Sequence, residues 1–106
     1  MPKYLVQASY TPEGLQGVRK DGGTARRTAT RKLIEGLGGQ MESFYFAFGT
    51  DDVIIVADLP DNRTAAAVGL AVNAEGHIRS RTTVLITPEE LDEAAKTSVN
   101  FHAPGT

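Results

Sequence analysis

The chain has 106 residues, a length that suits one domain and can bury a core without metal or disulfide staples. Cysteine is absent, which excludes disulfides, thiolate metal sites and cysteine nucleophiles and fits a reducing, cytoplasmic compartment. Its 11 Lys and Arg against 13 Asp and Glu leave a formal charge of −2, so nothing in the balance favours nucleic acid or an anionic membrane as partner.

Lys3 to Tyr10 (KYLVQASY) alternates, with Tyr4, Val6, Ala8 and Tyr10 on one face and Leu5, Gln7 and Ser9 on the other. That period predicts a strand, and no apolar signal core precedes it. Thr11-Pro12-Glu13 predicts a helix start, with threonine as cap, proline at the first position and an acid in the first turn. Gly22-Gly23 should interrupt this helix, since two glycines cost too much entropy in a helix interior. Thr24 is then expected to cap a second segment, on which Ala29, Leu33 and Leu37 form a stripe, and Gly38-Gly39 ends it.

Gln40 to Phe48 (QMESFYFAF) and Asp52 to Asp58 (DVIIVAD) read as strands joined by the turn Gly49-Thr50-Asp51. Pro60-Asp61-Asn62 opens a further helix that Glu75-Gly76 closes. Its apolar run, Ala65 to Val72, is too short to cross a bilayer. His77 to Ile86 is the fourth strand, and Thr87-Pro88-Glu89-Glu90 a strong helix start with a capping box. Leu91, Ala94 and Ala95 give this last helix a narrow apolar face.

The order β-α-β-β-α-β with a C-terminal helix predicts an α+β, ferredoxin-like fold over residues 1–97, followed by an irregular tail at 98–106. The antiparallel sheet of such a fold carries both main helices on one face. The second strand directs Phe44, Phe46 and Phe48 one way and Met41, Tyr45 and Ala47 the other. The third is apolar on both sides, Val53, Ile55 and Ala57 against Ile54 and Val56. Apolar residues on both faces mean both are covered. A second copy packed sheet to sheet is the expected cover, giving a homodimer; free strand edges leave room for a higher oligomer. The alternative is that the C-terminal helix and tail fold over the open face.

Tyr4 to Tyr10 (YLVQASY), Gly22 to Arg27 (GGTARR), Phe44 to Gly49 (FYFAFG), Asp58 to Asn62 (DLPDN) and Thr82 to Glu90 (TTVLITPEE) together resemble the GYD domain family over nearly the whole chain. The resemblance implies a dimeric α/β-barrel of ferredoxin-like protomers and little about activity. Two places depart from the family pattern. Gly49 and Asp52 of the Gly-Tyr-Asp element are present, but Asp51 stands at the tyrosine position, and the ending Phe101-His102-Ala103-Pro104-Gly105 differs from a Tyr-Arg-Pro-Pro-Gly type.

His77 and His102 have no ligand spacing, so no metal site and no cofactor are expected. Arg26, Arg27, Arg31 and Lys32 follow a glycine turn at a helix start, a place that can hold an anion, but they read first as a solvated face. Asp51 and Asp52 read as turn residues, and Arg79 and Arg81 as edge protection. Tyr10, Tyr45 and the phenylalanines are core or interface, or line an apolar pocket with polar groups such as Gln7 and Ser9. The leading expectation is a homodimeric module, structural or binding a small apolar molecule. The alternative is a cofactor-independent enzyme of oxygenase or isomerase type acting on an apolar or aromatic substrate. Tyr10, Arg26, Tyr45 and His77 are the candidate site residues for either, and their convergence on one cavity is the observation that favours a site.

Overall fold

The structure is a computed structural model describing residues 1–106. The strands are β1 (Lys3–Tyr10), β2 (Gln40–Phe46), β3 (Val53–Asp58) and β4 (Ile78–Leu85). The helices are α1 (Pro12–Asp21), α2 (Gly23–Gly36), α3 (Asn62–Glu75) and α4 (Pro88–Ala95). The sheet order is β2-β3-β1-β4 with every neighbouring pair antiparallel. This is the ferredoxin-like arrangement.

Local chemistry sets the ends of the elements. Thr11 caps α1 by accepting from the Gly14 N–H, and Asp61 caps α3 by accepting from the Thr64 N–H at 2.8 Å. Thr87 and Glu90 form a reciprocal capping box on α4. At the end of α2 the Gly39 N–H reaches the Ile34 carbonyl at 2.9 Å and the Gly38 N–H reaches that of Glu35 at 3.0 Å, a Schellman closure. Between α1 and α2 the chain turns at Gly22, whose φ of 91° suits glycine. Gly22, rather than Thr24, is the N-cap of α2, and no side chain caps that end.

The core lies between one sheet face, α2 and α3. Tyr4, Ala8, Val53, Ile55 and Ala57 are buried there with Ile34, Leu59 and Ala65. The Tyr4 hydroxyl donates to Asn62 Oδ1 at 2.6 Å. On α2 the buried contact is Ile34; Leu33 and Leu37 are partly exposed and Ala29 is exposed, so the anticipated stripe lies beside the core rather than in it.

The sequence-based faces of β2 need one correction. Met41 opposes Ala57 and Phe44 opposes Ile55, so Glu42 is an extra residue, a β-bulge. The bulge reverses the alternation, and Met41 joins Phe44 against the core. Tyr45, opposite Ile54, is the large apolar residue β2 leaves on the open face. Phe48 lies beyond the end of β2, fully exposed in the hairpin connection.

The open face has an apolar centre of Leu5, Ile54 and Val56 with polar clusters at both ends. At one end Lys3 Nζ bridges Glu42 at 2.6 Å and Asp58 at 3.1 Å. At the other, Asp51 Oδ2 accepts from Arg81 Nη2 at 2.8 Å and Gln7 Nε2 at 3.3 Å. Nothing in the chain covers this face. Pro88 to Thr106 is exposed throughout, including Leu91, Val99 and Phe101, so the tail does not fold over the sheet. Elongation follows, with extents of 58 × 32 × 24 Å and a radius of gyration of 17.0 Å, against about 13 Å for a compact domain of this length. The accessible surface is 7576 Å². A compact monomer of this mass exposes roughly 5,700 Å². No helix is long and apolar enough to cross a membrane.

Candidate functional site

A narrow cavity of about 90 Å³ runs between the covered sheet face, α2 and α3. Ala8, Val53 and Ile55 form its floor, and Phe44, Leu33, Val68 and Val72 its walls. Small residues make the room: Ala8 and Ala57 on the strands and Gly69 on α3 leave space that larger side chains would fill. Arg26 is the charged residue on its wall, and Thr30, Ser80 and Thr82 add hydroxyls.

Arg26 occupies the first turns of α2, on the helical face that also carries Thr30, Leu33 and Leu37. Its Nε is buried and has no hydrogen-bond partner. None of the chain's five ion pairs uses it. A buried donor without an acceptor costs about 1–3 kcal/mol, more when charged. This is the one orphaned buried side-chain atom in the structure.

Outside the cavity lies a groove of about 280 Å³, formed by α1, the start of α2 and the loop before β4. Tyr10, Arg26 and Ile78 border both spaces. The groove's back wall is tight, because a Cβ on Gly14 would collide with the His77 carbonyl oxygen, and only glycine lets α1 start so close to that loop. The Thr11 N–H also donates to the His77 carbonyl, at 3.0 Å. His77 lies on the groove with its ring Nδ1 paired to Glu75 Oε2, and the His77 N–H donates to Glu75 Oε1 at 3.1 Å. The ring contact first, then the backbone bond, holds the Glu75 carboxyl below its ordinary range. Glu13 and Asp21 complete the charged rim.

Three of the four residues singled out from sequence therefore meet. Tyr10 and Arg26 line the cavity and the groove, and His77 lines the groove. Tyr45 is elsewhere, on the open face and 69% exposed. Period-two alternation separates two faces of a strand but does not say which one the helices cover, so Tyr10 and Tyr45 looked equivalent. Thr30, Ile78 and Glu75 were missed. A usable signal existed, because Arg26 lies four and seven positions before Thr30 and Leu33, a charge placed on an apolar helical face.

The remaining candidates have structural partners. Asp51, at the family's tyrosine position, ties the hairpin to β1 and β4 through Gln7 and Arg81. Asp52 Oδ2 accepts from the Tyr10 N–H at 2.8 Å and so fixes the end of β1 beside the groove. No group of three or more His, Asp and Glu side chains is placed to hold a metal ion. The largest concavity, about 720 Å³, is a trough along α3 and β4 whose titratable group, Tyr4, already has its hydroxyl bonded to Asn62.

Comparison with known proteins agrees with this architecture. A search of curated proteins finds no match. Among solved structures, the crystal structure described as MtbAldR is similar, with a TM-score of 0.61 at 18% identity. The likeness covers 81% of this chain and 52% of that one, so this chain spans about half the length of its structural neighbour. At that identity the likeness concerns the fold. The family model described as GYD domain matches residues 4–95, which takes in every strand and helix described above except Lys3 at the start of β1. The chain is a member of the GYD domain family.

Proposed function

We propose that this protein is a small-molecule-binding module that works as a homodimer. The observation behind binding is the cavity beside Arg26, apolar on nearly every side, with Arg26 on its wall and the Arg26 Nε buried without a partner. Most small-molecule sites share this form, an apolar recess with a few placed polar groups. The recess accepts a compact apolar group, and the groove outside accepts the rest of the ligand.

The dimer reading rests on exposed area. The surface exceeds the compact-monomer expectation by about 1,800 Å². Excess of this size is what a standard interface and an undocked arm together would bury. The apolar centre of the open face, flanked by two charged clusters, suits a twofold partner placed sheet to sheet.

Titrating the isotopically labelled protein with 3-methyl-1-butanol, an uncharged probe, tests the binding reading. Amide shifts should concentrate at Ala8, Ile55, Val68 and Ile78, and Ala8→Leu should abolish them by filling the space. Absent or scattered shifts would overturn it.

A second reading, cofactor-independent catalysis on a small carbonyl compound, draws on the Glu75–His77 pair at the groove. A carboxylate that orients a histidine is a common general-base arrangement. Exchange of substrate carbon-bound hydrogen in D₂O, lost in His77→Gln, is the expected result. Unchanged exchange in that variant removes this reading.

A further inference from the structure

We infer that the ligand is a short aliphatic carboxylate whose head group binds the Arg26 guanidinium and whose branched apolar end fills the cavity. The inference rests on the binding reading above and narrows it to a chemical class.

Three observations carry it. First, size: an apolar cavity of ~150 Å³ takes up benzene. The present volume of about 90 Å³ scales to an apolar group of roughly three or four carbons. Second, the donor: the Arg26 Nε–H is buried, aimed at no protein acceptor, and belongs to a side chain that borders both cavity and groove. A guanidinium presents its donors as a planar fork that matches a carboxylate, and charge-assisted bonds of this kind are about twice as strong as neutral ones. Third, the absence of competition: Asp51, Asp58 and Glu42 pair with Arg81 and Lys3 on the open face, and Glu75 pairs with His77. Glu13 and Asp21 border the same groove, and neither is within ion-pair distance of Arg26.

The rim bears on the source of the carboxylate. Glu13, Asp21 and Glu75 surround the groove outside Arg26. A plain acid meets their repulsion, whereas an acid that also carries an ammonium group is attracted by them. The shared chemistry is the carboxylate on a short branched chain.

Binding of 3-methylbutanoate, its amide, leucine and 3-methyl-1-butanol to the whole chain, by calorimetry, tests the inference. The carboxylate should bind about tenfold more tightly than the amide. Arg26→Met, which keeps the apolar stem, should erase that preference. Arg26→Lys, which keeps the charge without the fork, should lose part of it, and serves as the informative variant where Arg26→Met unfolds. Leucine binding more tightly than 3-methylbutanoate assigns the ligand to the ammonium-bearing source, and the reverse order to the plain acid. Equal affinity for acid and amide overturns the carboxylate assignment while leaving the cavity reading intact. Failure of the alcohol as well overturns both.

Discussion

The two faces of this sheet are built by different rules. On the covered face, Tyr4, Ala8, Val53, Ile55 and Ala57 form an unbroken apolar surface under the helices, with charge admitted only at Arg26 on its margin. On the open face, Leu5, Ile54 and Val56 are apolar, but Lys3, Asp58 and Glu42 close one end and Gln7, Asp51 and Arg81 the other. The covered face is organised for packing within the chain. In the homodimer proposed above, the charged ends of the open face would penalise a misaligned partner.

Substitutions on the two faces should therefore fail in different ways. The largest effect is expected from Tyr4→Ala, which empties the most buried large side chain and orphans Asn62. A loss of about 3–5 kcal/mol in urea-induced unfolding is expected, independent of protein concentration. Ile54→Asp should leave the far-ultraviolet spectrum intact and shift sedimentation to the protomer, costing roughly 2 kcal/mol or more of association. Should Ile54→Asp unfold the chain instead, or leave a monomeric parent unchanged, the contrast between the faces collapses.

Smaller effects sharpen the same contrast. Thr87→Ala removes half of the α4 capping box and should fray that helix by about 1 kcal/mol, seen as faster amide exchange at Leu91. Global unfolding of the protomer should not change, because α4 buries no residue.

The pH profile should have two edges. Asp61 is lowered by the Thr64 N–H and then its hydroxyl, and Glu75 by His77; both contributions are intact above the ordinary carboxyl range and lost as pH falls through the lowered folded values. Lys3 is raised above 10.5 by Glu42 and then Asp58, and Tyr4 above 10.0 chiefly by burial. Their contributions are intact below those values and lost as pH rises through the folded ones. High salt should weaken the exposed Lys3 part and leave the Tyr4 part. Unfolding midpoints measured across pH, with and without salt, check both edges.

Much of this architecture was readable from residue order alone. Thr11, Asp61 and Thr87 announced three helix starts, Gly38-Gly39 and Gly76 two ends, and the alternation of β1 its two faces. These signals are local, set by a few neighbouring residues. What the sequence withheld depends on pairing across the chain. The bulge at Glu42 exists only relative to β3, and the isolation of Arg26 Nε only relative to helices that approach from elsewhere. Asp51 read as a turn residue, yet its partners, Gln7 and Arg81, lie far away in sequence.

The extra residue in β2 has a consequence for how related chains can diverge. Losing Glu42 would place Met41 two positions before Phe44 on a regular ladder, so both would stay against the core, and the open face would lose only one partner of Lys3. A single-codon deletion there would keep both faces in register, whereas one inside β3 would turn the residues on one side of it to the opposite face. Length variation among relatives should accordingly be tolerated at the bulge and at the exposed C-terminal end, and rare within β3.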